Sequence, residues 1–165
     1  MTDVPPLVAD ERTMLVGWLE LHRRTLLAKC RDLEPEQLAL RSVPPSELSL
    51  LGLVRHMTEV EEHWFRRIFA DERPPARYCT RDDRDGDFHG AAADNAAEGL
   101  DAFGIECQRS RELLDQVDSL DRLSRRSLGD QPVSMRWIVV HMIEEYARHN
   151  GHADLLRECV DGLVG

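Results

Sequence analysis

Four stretches of the chain place apolar residues three or four positions apart, the spacing of one face of an α-helix. The first, from about Ala9 to Leu33, carries Met14, Leu15, Trp18, Leu21, His22 and Leu26. Pro35 stands just past its end, where a helix stops. The second runs from about Ser46 to Ala70 with the stripe Leu50, Leu53, Val54, Met57, Val60, Trp64 and Ile68. Pro44-Pro45 forces extended backbone before it, which makes Ser46 the expected N-cap. The third, from about Asp94 to Asp118, uses Leu100, Phe103, Cys107, Leu113, Leu114 and Val117. Gly99 and Gly104 each weaken it by about 1 kcal/mol relative to alanine. The fourth begins near Val133 or Ser134 and continues to about Val160, with Gly151 inside and Gly162 just beyond.

Helices of roughly 25 residues span about 37 Å each. Four of them predict an all-α four-helix bundle, antiparallel or partly crossed, in a single domain covering residues 1–165. The connections are a short one over Glu34–Pro45, a long polar loop between helices two and three, from Asp71 to about Ala93, and a third over Ser119–Pro132. No run of alternating β-branched residues calls for a sheet. The polar run from Thr80 to Asp87 alternates Asp and Arg but lacks the register of a calcium loop. A loop of that length in a compact domain is expected to be functional or mobile.

The helical pattern conflicts with residue type at a few positions. On the fourth helix Ile138, Met142, Glu145, His149 and Leu156 share one face, so a Glu and a His fall among core residues. Residues four apart on a helix have neighbouring Cβ atoms, so Glu145 and His149 can point at a common centre. On the second helix His56 lies between Leu53 and Val60 in the same way. A bundle can bring these three together as two imidazoles and one carboxylate. A carboxylate buried without compensation costs several kcal/mol, and a divalent metal is one solution. Such a triad suits zinc and leaves a coordination position open; iron(II) and nickel(II) accept the same donors. His63, His141 and His152 lie on the same two helices and allow other triads. A plain polar core, with Glu145 hydrogen-bonded to the two histidines, is the competing structural account.

Composition narrows the functional classes. The formal charge is −10, from 21 basic against 31 acidic residues. That argues against nucleic acid or an anionic membrane as the partner. All but one of the basic residues are arginines, the exception being Lys29, which reads as the codon bias of a GC-rich genome. No apolar segment is long enough to cross a membrane. The opening residues lack the pattern of a secretory signal. Cys30, Cys79, Cys107 and Cys159 form no CxxC pair and read as reduced thiols, so a cytoplasmic location is expected. Cys107, Trp18, Trp64 and Trp137 are expected in the core. No GxSxG, phosphate loop or Cys/His nucleophile signature is present.

Two long motifs carry a family resemblance. The segment from Ser46 through His56 to Trp64-Phe65 resembles the second helix of the DinB/YfiT-like metal-binding four-helix bundles, closest to the actinobacterial mini-circle-protein-like branch. His141-Met-Ile-Glu-Glu145-Tyr-Ala-Arg-His149-Asn-Gly-His152 is similar to that branch's C-terminal motif. The usual superfamily site has a His-x-x-x-His pair, and here Glu145 stands in for the first His. In this the chain resembles mycothiol-dependent maleylpyruvate isomerase, whose zinc is held by two His and one Glu. The resemblance implies His56, Glu145 and His149 as metal ligands and often a homodimer.

The expected function is therefore a divalent-metal-dependent transferase or isomerase that uses a low-molecular-weight thiol such as mycothiol on a small electrophile. Arg55, Arg148 and Asn150 flank the ligands and are the candidate contacts for acidic groups of thiol or substrate. A non-enzymatic metal-binding module, acting in stress response or as a dimeric interaction protein, is the alternative.

Overall fold

The computed structural model describes residues 4–165. Four long helices dominate: α1 (Glu11–Cys30), α3 (Leu50–Glu61), α5 (Ala96–Asp115) and α6 (Met135–Asp161). Two short ones, α2 (Pro35–Leu38) and α4 (Gly86–His89), sit in the connections, and a 3-10 turn, Ala93–Asn95, leads into α5. Beyond Glu61 the second long helix continues as a π-helix over Glu62–Phe69. The Ala70 N–H accordingly reaches back five residues to the Phe65 carbonyl.

Cross-helix contacts define the direction of each long helix. Glu11 meets Arg136, His22 meets Asn150 and Lys29 meets Arg157, so α1 and α6 run parallel. Glu61 meets Cys107, and Gly99 lies against Leu51, so α3 and α5 also run parallel. Glu20 pairs with Arg111 while Arg12 donates to Val117, so the α1/α6 direction opposes that of α5 and α3. This up-down-down-up order explains the long segment between α3 and α5. Two parallel neighbours need a connection that travels back the length of the bundle.

The element boundaries correct the sequence expectation in several places. The cap of α3 is Ser49, whose hydroxyl accepts from the Gly52 N–H at 3.0 Å, not Ser46. The Ser46 hydroxyl instead accepts from Leu48 in the preceding turn. The connection over 119–132 holds an antiparallel hairpin, β1 (Leu123–Leu128) with β2 (Gln131–Ser134). Gly129, at φ 62°, supplies the left-handed position that a two-residue hairpin loop reserves for glycine. The hairpin escapes a reading of periodicity because Leu-Ser-Arg-Arg-Ser-Leu does not alternate and is mostly exposed. Trp18 and Trp137 are 39% and 44% exposed, outside the core where they were expected, and Trp64 is half-buried. Cys107 is buried, as expected.

The core face of α1 is Leu19, Arg23, Leu26 and Cys30. A charged residue at its centre obscured this face in the sequence. The Arg23 guanidinium donates to both oxygens of Glu61, at 2.7 and 2.6 Å, and both side chains are buried. The Tyr146 hydroxyl donates to the same carboxylate at 2.7 Å. Three helices, α1, α3 and α6, are thus tied at one buried polar point.

Candidate functional site

His56 comes from α3, and Glu145 and His149 from α6. Each offers a ligand atom, and these atoms all lie within 4.8 Å of one another. The structure therefore brings together the three residues the sequence singled out. The imidazoles of His56 and His149 meet edge-on, with centroids 4.7 Å apart.

The surroundings orient each donor. His56 Nδ1 donates to Asp87 Oδ2 at 2.7 Å, leaving Nε2 as its free ligand nitrogen. Burial pushes the Asp87 carboxyl up, but its hydrogen bond and charge contact with His56 outweigh that and hold it below the usual range. His149 turns Nε2 toward Glu145 Oε2 at 3.5 Å and Nδ1 toward His152 at 3.4 Å. Burial, then the neighbouring His56, His152 and Arg148, depress its pKa to about 4. His149 is thus neutral near pH 7, the state in which an imidazole binds metal. Glu145 is largely buried, yet its contacts with Arg148 and His149 stand at 3.5 Å and that with His141 at 3.8 Å.

This geometry tests the donor set. A hydrogen-bonded polar core would have both histidines donating to Glu145 at ordinary distance. Instead His56 donates away, to Asp87, and Glu145 has no tight partner among the described residues. Two oriented imidazoles and an under-partnered carboxylate fit a divalent cation with room for one more ligand. His141, Glu144 and Glu145 form a second close group. Glu144 in that group is exposed and already paired with Arg148.

The long loop after α3 builds one side of the site. Residues of α3 hold it down. Glu59 accepts from the N–H groups of Tyr78 and Cys79. Arg55 donates to the Asp87 and Gly86 carbonyls and lies 3.9 Å over the Tyr78 ring. A Cβ on Gly86 would stand 2.4 Å from the Tyr78 carbonyl oxygen, so only glycine allows this approach. His56, Val60, Trp64, Cys79, Arg84 and Phe88, with others, line a cleft of about 320 Å³ beside the triad. Phe88 stacks on His56 at 4.9 Å.

The three flanking residues have different surroundings. Arg55 is buried and holds the loop. Asn150 is buried and donates to the His22 carbonyl at 3.1 Å, between α6 and α1. Arg148 is exposed beside Glu145. Asp87, which orients His56, was missed in the sequence because it closes a run that reads as solvated charge. The one local hint was Gly86-Asp87-Phe88, a glycine and an aromatic interrupting that run.

Parallel-paired long helices joined by a long return connection, with a His/Glu group between α3 and α6, define a DinB-like helical bundle. Residues 14–162 match the family model of the mycothiol-S-transferases, and the chain belongs to that family. No curated protein matches the chain at significance.

Proposed function

We propose that the protein is a divalent-metal-dependent S-transferase that joins mycothiol, or a closely similar thiol, to a small electrophile. The family supports the thiol and the transfer. The observation that carries the metal is Glu145, a half-buried carboxylate set against two oriented imidazoles, with no hydrogen bond to it shorter than 3.5 Å among the described residues. His56, Glu145 and His149 are the proposed ligands, zinc the ion that suits them best. A divalent ion held there supplies Lewis acidity that lowers the pKa of a bound thiol and favours the thiolate at neutral pH.

The chain's own residues set the rest. Asp87 fixes the tautomer of His56. Burial keeps His149 unprotonated and ready to bind. Arg148, exposed at the edge, is the flanking residue positioned to meet an acidic group of thiol or substrate, with Arg84 at the mouth of the cleft. Arg55 and Asn150 hold the loop and α1 in place. In the transfer the thiol sulfur bonds to the electrophilic carbon, the thiol proton passes to solvent, and the leaving group departs with its bonding electrons.

Metal analysis of untagged protein tests this reading. It predicts about one zinc per chain and thiol binding by the zinc form, both lost in His149→Ala. Less than about 0.1 zinc per chain, with no stabilisation on adding zinc, contradicts it.

A further inference from the structure

The same two helices carry a second feature that the triad leaves unexplained. Trp137, His141, Glu145 and His149 follow at four-residue intervals along one stripe of α6. Facing them, His56, Val60 and Trp64 follow at the same interval across the junction of α3 with the π-helix. The stripes run antiparallel. His56 meets His149 at one end, and at the other the Trp64 ring lies 5.0 Å from Trp137 and 4.7 Å from His141. Trp137 and His141 are stacked, 18° from parallel with centroids 4.9 Å apart. His141 Nε2 in turn lies 3.8 Å from Glu145 Oε1. The aromatic surface therefore begins beside the proposed ligand carboxylate, and Trp64 joins it to the cleft that His56 lines.

Trp137 keeps 44% of its surface exposed, although a packed tryptophan gains more from burial than almost any other side chain. Trp137 borders a groove formed with Leu128, Pro132 and Val133 of the hairpin, and the stacked His141 and the Trp64 ring lie between that groove and the triad. Such an exposed aromatic surface is one for a ligand to cover. Indole faces are electron-rich and attract rings depleted of electron density. A carbon open to attack by a thiolate is made so by electron withdrawal, often through conjugation, so the two requirements coincide.

We propose that Trp64, Trp137 and His141 form the subsite for the electrophile, and that its ligand is a planar, electron-poor aromatic or conjugated group stacked on Trp137. This rests on the transferase reading above for its chemistry, but not for its binding. The test is equilibrium dialysis with 1,3-dinitrobenzene, an electron-poor ring with no leaving group, against metal-free and zinc-loaded protein. One saturable site is expected in both forms. Trp137→Ala and Trp137→Leu should each weaken it at least tenfold while zinc content and thiol binding stay at the parent level. Cyclohexanol and tetramethylammonium should bind at least tenfold more weakly than the ring. Equal ring affinity in the two variants, absence of a saturable site, or equal binding of cyclohexanol or tetramethylammonium overturns the proposal. Ring binding retained by a protein that takes up no zinc supports the subsite and overturns the metal reading instead.

Discussion

Asp87 shows how much of this site depends on a residue that the proposed ion would not touch. Its carboxylate accepts from His56 Nδ1 at 2.7 Å and so decides which imidazole nitrogen is free. Loss of such a partner typically weakens metal affinity 10- to 100-fold. Asp87→Asn should show a loss of that size in a zinc titration against a competing chelator, with little change in unfolding midpoint. His149 gives a pH prediction for the metal-free protein. Its folded pKa, about 4, lies below the ordinary 6.5. Between those values the unfolded chain binds the extra proton and the folded chain does not, so stability falls as pH drops from 6.5 toward 4. At about 1.4 kcal/mol per unit the whole window is worth roughly 3 kcal/mol. Urea unfolding at several pH values should show this slope, and His149→Gln should flatten it.

Among the elements, α3 with its π-helical continuation organises the molecule. Its residues reach in three directions: Glu61 to α1 and α6, Glu59 and Arg55 to the long loop, and His56 to the site. Glu61 accepts from Arg23 and Tyr146 where none of the three meets water. Removing one partner of a buried pair costs about 3–5 kcal/mol, because the other charge is left uncompensated. Glu61→Gln should lower stability by that order in urea unfolding, whereas Arg23→Met with Glu61→Leu should recover much of it. Gly86→Ala tests the loop separately. The displaced turn carries Asp87 with it, so zinc affinity should fall about as far as in Asp87→Asn, and zinc-free stability should change less. The four long helices were legible because their apolar spacing persists over three or more turns. His56, Glu145 and His149 were legible because they break that spacing. The hairpin was not, since its strands are short and exposed, and neither was the α1 core face, since Arg23 sits at its centre. Asp87 was hidden because its role depends on a return connection that brings a distant polar run onto α3.

For the molecule as a whole, the net charge of −10 describes the surface and little of the chemistry. Many of the arginines are paired within the chain, as where Arg66, Arg77 and Arg109 surround the buried Glu106. The up-down-down-up order places α3 and α6 antiparallel, and this lets one stripe from each build both the triad and the aromatic surface beside it. If an ion binds the folded chain and not the unfolded one, zinc at 100 times its dissociation constant should stabilise the protein by about 2.7 kcal/mol. The most direct measurement of the central claim is zinc K-edge X-ray absorption on the zinc-loaded protein, before and after addition of mycothiol. Only nitrogen and oxygen neighbours are expected at first, then a sulfur neighbour at about 2.3 Å once the thiol is added. A spectrum unchanged by saturating thiol would contradict it.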